Sequence, residues 1–405
     1  MFNFQFLKSN FKYLLFGFLM TFCSSFGQTF FLGIFNPFIR QDLNLSHSEF
    51  GGIYSIATLV SSLSIIWIGK KIDDFKLRNF AIFVCLSLFF ASIFISQLSG
   101  FIHLVFAIFF LRLFGQGLMS HTSSTAMARF FNKNRGKALG IAWLGLTFGE
   151  GILPGLVILF LNFIAWKEVW LVIAAFLLLF VMPSILFLLK NFKDDSVEQD
   201  HLKINSKIKN WTRGEVLKDI KFYCLLPAVL CPPFLITGIF INQAFLFENA
   251  GWGITYLAPS FTAYAIFTLI SLQVSGYLID RFSAIKILPF YLIPMMAGFA
   301  LSLLFKFSLS PVLFFIFIAI TNGTANVFIT STWSEMYGTK HLGAIRSVTV
   351  ALMVFSTSLS PVLFGYLIDY GFGSQQIFLS MFLYTVIANL LFFIKIKSYK
   401  PVITA

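Results

Sequence analysis

The sequence predicts an all-α polytopic membrane protein, with twelve transmembrane helices in two pseudo-symmetric six-helix bundles. Three observations carry that expectation. Of the 405 residues 58% are hydrophobic, 56 are phenylalanine, and the mean hydropathy is +0.87. A soluble chain of this length could not hide so much apolar surface. Apolar runs of about 20 residues, long enough to cross a bilayer as a helix, recur along the chain. The lysines and arginines fall almost wholly in alternate connections between those runs.

Taken in order, the first run, 13–39, is too long for a signal peptide and lacks a clear small-residue cleavage site, so it is span 1. Spans 2 to 6 follow at 50–68, 79–99, 101–127, 136–163 and 169–190. Lys190 to Lys221 is the one long polar stretch, and it carries eight bases and six acids. It reads as a solvated linker with a short amphipathic helix near Trp211 to Asp219. Spans 7 to 12 then occupy 222–247, 256–279, 284–306, 310–335, 342–368 and 376–395. The expected organisation is therefore a bundle over 1–190, a cytoplasmic linker over 191–221 and a second bundle over 222–405. Twenty-five of the 29 Lys and Arg residues lie at the termini, in the linker and in the connections on that same side; only Arg40, Lys167 and Lys306 lie opposite. By the positive-inside rule both termini are cytoplasmic. An even number of spans is needed for that. The expected location is the cell inner (cytoplasmic) membrane of a bacterium.

The formal net charge of +13 could suggest a nucleic-acid partner. The bases sit in short loops, so they read instead as topology signals, and no nucleic acid is expected. Cys23, Cys85 and Cys231 lie within apolar runs, Cys224 lies at the start of one, and no CxxC occurs, so neither a disulfide framework nor a metal site is indicated. There is no GxSxG, HExxH or Walker-type loop, so no enzyme chemistry and no cofactor is expected.

An internal repeat runs through the chain at an offset of 207. Gly69, Ile72, Asp73 and Phe75 fall on Gly276, Ile279, Asp280 and Phe282; Gly136 falls on Gly343 and Pro154 on Pro361. Matches in equivalent loops and spans indicate a duplicated unit, with two parallel six-span halves, an architecture found among transporters.

At the level of motifs the chain resembles the major facilitator superfamily over essentially its whole length. "GKKIDDFKLRNF", Gly69 to Phe80, is similar to that family's signature loop between helices 2 and 3. "RLFGQG", Arg112 to Gly117, is similar to its helix 4 motif, and "GLTFGEGILPG", Gly145 to Gly155, to its helix 5 motif. "ARFFNKNRGKALGI", Ala128 to Ile141, is close to the 4–5 loop of the monocarboxylate and oxalate transporter branch. The acidic-glycine-tryptophan signature of helix 1 in monocarboxylate carriers is missing, and helix 8 contains no arginine.

The resemblance implies alternating access by rocking one half against the other. Gly69, Asp73, Gly276 and Asp280 then belong to the gate, with Asp73 facing the amino end of helix 11, where a carboxylate meets a positive dipole end. Arg129 and Glu335, at the cytoplasmic ends of helices 4 and 10, are further candidates for gate pairing. The loop bases Lys70, Lys71, Lys76 and Arg78 read individually as topology signals.

Arg112 is the sharpest single residue. An arginine in mid-span costs roughly 2.5–3.5 kcal/mol on insertion scales unless it is paired or faces water. It lies about 16 Å into helix 4, and Glu150 reaches a similar depth on helix 5. An Arg112–Glu150 pair is expected. It is either structural, or a site where an anionic substrate competes for the arginine or a proton on Glu150 releases it. Helices 1, 4, 7 and 10 line the cavity in the family. This makes Gln28, Gln116, Asn242, Gln243, Asn322 and Asn326 candidate substrate ligands beside Arg112, with Ser24, Ser25 and Asn36 behind them. In membranes such groups also act as interhelical glue. Glu150 and His121 are the coupling candidates, although His121 also reads as a packing histidine. Gly145, Gly149, Gly151 and Gly155 are spaced for close helix approach, and Pro154 and Pro361 are expected to kink helices 5 and 11.

These readings describe a monomeric secondary active transporter for a small organic solute, with an organic anion such as a carboxylate preferred and protons as the coupling ion. The competing readings are a metabolite or drug efflux antiporter of the same superfamily and a non-transporting membrane sensor.

Overall fold

The computed structural model describes residues 4–131, 135–190, 210–305, 307–338 and 340–393. Among them, twelve helices are long and apolar enough to cross a membrane, numbered here as spans 1 to 12: Phe11–Leu43, His47–Asp73, Leu77–Ser96, Phe101–Phe130, Gly136–Leu161, Trp166–Leu188, Ile220–Ile241, Ile254–Ile279, Ala284–Leu304, Ser310–Tyr337, Ala344–Asp369 and Ser374–Leu391. The chain divides into two compact units, Met1–Gln199 and Asp200–Ala405.

Helix starts are set by local chemistry. Ser46 accepts from the Glu49 backbone N–H at 3.2 Å, and Glu49 returns a bond from the Ser46 N–H at 2.8 Å, a capping box that opens span 2. Asn44, at φ 51°, takes the left-handed turn that ends span 1. Ahead of span 7, Thr212 and Glu215 cap the short helix Arg213–Val216, the described part of the polar connection, and the Trp211 N–H donates to the Tyr337 carbonyl at 2.9 Å. The rest of the expected linker, 191–209, lies outside the described residues.

Within the first unit span 1 packs on span 5, span 2 on span 4 and span 3 on span 6. Within the second, span 7 packs on span 11, span 8 on span 10 and span 9 on span 12. Lipid tails are as apolar as the side chains, so these pairs are held by close contact and interhelical hydrogen bonds rather than by burial from water. Gly145 abuts the Phe18 carbonyl, and the Thr21 hydroxyl donates to the Ala142 carbonyl across the same 1–5 seam. The 7–11 seam repeats the device: Ser360 Oγ donates to the Phe234 carbonyl at 2.6 Å beside Gly238. Phenylalanine fills much of the interior. Phe31 and Phe35 lie 5.6 and 5.0 Å from the Trp170 ring, and Phe240, Phe261, Tyr264 and Phe315 form one cluster.

The helices are not interrupted at the paired prolines Pro154 and Pro361. Helices Arg135–Leu161 and Leu342–Asp369 run through Pro154 and Pro361. Span 1 instead changes to a 3₁₀ turn at Ser25–Gly27, passes through an extended Gln28 (φ −80°, ψ 155°) and restarts at Thr29. Span 4 carries a π-helical stretch, Leu111–Met119. Span 7 stops at Ile241, and after Asn242 a new helix, Gln243–Asn249, begins.

Candidate functional site

The breaks bring the chemistry of the first unit together. The 3₁₀ turn of span 1 lies against the π-helical stretch of span 4. The approach is backbone on backbone: a Cβ on Gly27 would strike the Leu111 carbonyl and the Gln116 amide, and a Cβ on Gly115 would strike Gly27. Only glycine permits this contact. π-Helical bulges often mark functional sites because they re-aim the side chains around them. Here the stretch carries Arg112 at its second residue.

Arg112 is 5% exposed. Its Nη1 donates to the Gly27 carbonyl at the helix break, at 3.0 Å, and to Thr29 Oγ1 at 3.3 Å. Its guanidinium lies 5.2 Å from the centre of the Tyr54 ring, and Tyr54 is wholly buried. The Tyr54 hydroxyl shares a 2.8 Å hydrogen bond with Thr29 Oγ1. Spans 1 and 2 thus hold the cation of span 4 through a carbonyl, a hydroxyl and an aromatic face. Arg112 Nε has no acceptor, and among the described residues no carboxylate lies within ion-pair distance of the guanidinium.

The expected Arg112–Glu150 pair is therefore not formed. Equal depth along two helices does not fix the direction each side chain takes, and the i→i+5 ladder in span 4 turns Arg112 toward spans 1 and 2. Glu150 is half-buried and has neither a hydrogen bond nor an ion pair to another described residue. Gln28 and Gln116 are also half-buried, with side chains that make no hydrogen bond. Three polar groups without internal partners are thus available for a ligand, a proton or water.

The second unit carries a neutral counterpart. Asn322 Nδ2 donates to the Tyr264 hydroxyl at 2.6 Å, tying span 10 to span 8 much as Arg112 ties span 4 to span 2. Asn242 and Gln243 sit at the span 7 break, 3% and 0% exposed, and Asn242 Nδ2 donates to the Gly238 carbonyl at 3.1 Å. Ser24, Ser25 and Asn36 are buried too. The side chains of Asp280 and Asn326 lie outside the described residues.

The gate candidates separate by chemistry. Asp73 Oδ1 and Arg129 Nη2 are 2.6 Å apart, and Arg129 also donates to the Ile72 carbonyl at 3.2 Å. His121 Nε2 lies 3.1 Å from the Gly69 carbonyl, so His121 is placed at the end of span 2. Glu335 instead accepts from Ser283 Oγ at 2.7 Å, from the Ala284 N–H at 2.8 Å and from the Ile285 N–H at 3.2 Å, capping the start of span 9. Gly276 has open space around it, unlike Gly69, whose Cα faces the His121 ring.

Sequence reasoning missed Tyr54 and Thr29. An aromatic residue in an apolar run carries no polar signal. The "SSFGQT" cluster of small and polar residues at the span 1 break was the available clue.

The sequence profile of the Major Facilitator Superfamily matches residues 17–361. The chain belongs to the Major Facilitator Superfamily, and it is a multi-pass membrane transporter rather than an enzyme. A bacterial homologue of the human lysosomal transporter Spinster, in an inward-facing unoccupied conformation, is similar at a TM-score of 0.67 and 14% identity, over 96% of this chain and 97% of that one. The same homologue in an inward-facing occupied conformation gives 0.66 and 17%, over 94% and 95%. A variant of the nucleoside transporter NupG gives 0.72 and 11%, over 94% and 99%. At these identities the likeness establishes the fold. No curated protein matches the chain by sequence.

Proposed function

We propose that the protein moves a small organic anion, preferably a carboxylate, with protons as the coupling ion, by alternating access. The observation that carries this reading is a buried arginine without a carboxylate partner. A guanidinium in the membrane that is held only by a carbonyl, a hydroxyl and a ring keeps its positive charge and the N–H groups of Nε and Nη2 for an incoming anion. Glu150, equally without a cation, is the proton carrier in this reading. The unbonded amides of Gln28 and Gln116 are the neutral ligands in the same unit. Asn322, Asn326, Asn242 and Gln243 serve in the other, and Asp73, Arg129, Gly69, Gly276, Asp280 and Glu335 serve the gate. The resemblance of the 4–5 loop to the monocarboxylate and oxalate transporter branch supports the choice of anion. The protein works as a monomer in the cytoplasmic membrane with both termini inside.

The test is uptake into proteoliposomes under an imposed pH gradient, across labelled carboxylates, nucleosides, sugars and lipophilic cations. Wild type is expected to accumulate a carboxylate only with the gradient. Arg112→Gln is expected to lower uptake at least tenfold, and Glu150→Gln to leave exchange but abolish gradient-driven accumulation. Transport of a neutral or cationic solute that survives Arg112→Gln would overturn the anion reading.

A further inference from the structure

The loop Gly69 to Phe80 holds more cations than its gate uses. Asp73 is taken by Arg129 at 2.6 Å, and Asp74 is taken by Lys71 at 3.2 Å in an exposed pair. Lys70, Lys76 and Arg78 are exposed, and their side chains have no hydrogen bond or ion pair. Topology alone does not require bases next to a cavity, yet Lys70, Lys76 and Arg78 adjoin in sequence the residues Lys71, Phe75 and Asn79 that line one. A groove of about 480 Å³ opens between the ends of spans 2 and 3, lined by Ile68, Lys71, Phe75, Asn79, Phe80 and Phe83. Its walls are almost entirely apolar, and Lys71 and Asn79 are its only polar side chains. Phe75 and Phe83 are 55% and 47% exposed. In a membrane transporter, a surface where the apolar span ends and a run of bases begins lies where hydrocarbon meets headgroup.

We propose that this groove binds an anionic phospholipid. One acyl chain lies along Ile68, Phe75, Phe80 and Phe83, and the phosphate is received by Lys71, which exchanges its exposed contact with Asp74 for it, together with the unpaired Lys76 and Arg78 of the same loop. Charge complementarity selects this occupant. Basic clusters at the cytoplasmic end of a span attract anionic headgroups, whereas a phosphatidylcholine headgroup would bring a quaternary ammonium to a loop in which Lys70, Lys76 and Arg78 already lack an anion. The apolar walls select a lipid over a free phosphate, which would leave them in water. The site is independent of the transported substrate and rests on the membrane setting and on the orientation that the basic loops imply.

The test uses the full chain, purified in a nonionic detergent. It is mixed with equimolar dioleoyl-phosphatidylglycerol and dioleoyl-phosphatidylcholine and read by native mass spectrometry. Wild type is expected to retain one phosphatidylglycerol with at least tenfold preference, and millimolar glycerol 1-phosphate is expected not to displace it. Lys71→Gln/Lys76→Gln/Arg78→Gln is expected to bring the preference within twofold of parity, and Arg78→Gln alone to lower it about threefold. Asn79→Trp, which fills the groove without changing charge, is expected to abolish it. Lys218→Gln/Lys221→Gln/Lys286→Gln, in the other unit, is expected to leave it intact. Equal retention of the two lipids by wild type, a preference that survives the triple variant or Asn79→Trp, or equal loss in the distant control would overturn the proposal, as would displacement by glycerol 1-phosphate.

Discussion

Tyr54 is the residue on which the Arg112 environment turns. Its ring face takes the guanidinium and its hydroxyl holds Thr29, which in turn accepts from Arg112. The two functions can be separated. Tyr54→Phe keeps the face and removes one hydrogen bond, a change worth about 1 kcal/mol, and uptake should stay within about threefold of wild type. Tyr54→Leu removes the desolvated cation–π contact, worth about 2 kcal/mol. It should lower both the uptake rate and the thermal unfolding midpoint in detergent well below those of Tyr54→Phe. Equal behaviour of the two variants would show that the ring only fills space. Arg112 itself was legible in the sequence because an arginine in mid-span has few uses. Its partners were not, because a carbonyl freed by a helix break and a ring in an apolar run leave no polar trace.

Among the elements, the twelve spans were legible from hydropathy to within a few residues, while their interruptions were not. A helix read at 3.6 residues per turn continues straight through Ser25–Gly27 and Leu111–Met119, and the prolines drew attention to Pro154 and Pro361, where the helices continue. The spacing of small residues held more information than the prolines, because the span 1 break needs Gly27 and Gly115 to touch backbone to backbone. A methyl group at either position forces the two spans apart. Gly27→Ala and Gly115→Ala should each cost about 3 kcal/mol, the upper end for overpacking in a tight core, and should reduce the yield of monodisperse protein. Gly276→Ala, where a Cβ meets open space, should leave yield and unfolding midpoint unchanged. If all three glycine variants behave alike, the close approach of spans 1 and 4 does not govern stability. The Asp73–Arg129 pair gives a different contrast. Asp73 is 66% exposed, so the pair contributes about 1 kcal/mol or less to stability. Asp73→Asn should therefore leave the unfolding midpoint almost unchanged while lowering uptake more than tenfold, because its work lies in the transport cycle.

For the molecule as a whole, the excess of bases on one side serves two purposes that a single experiment can separate. Topology depends on the total bias, and that bias is large. Changing Lys70, Lys71, Lys76 and Arg78 together to Gln still leaves the bases of the other loops, the linker and the termini far in excess of Arg40, Lys167 and Lys306. The quadruple variant should therefore keep its C-terminus on the cytoplasmic side, as read by a C-terminal green fluorescent protein that stays bright and an alkaline phosphatase fusion that stays inactive. A local role does not survive the same change. If Lys71, Lys76 and Arg78 among those four bases hold an anionic lipid at the ends of spans 2 and 3, the variant with correct topology should lose its preference for phosphatidylglycerol. Its uptake should then become insensitive to the phosphatidylglycerol content of the vesicle, whereas wild type responds to it. Inversion of the C-terminus would mean instead that this one loop governs insertion, and that its charge density is explained by topology without a lipid.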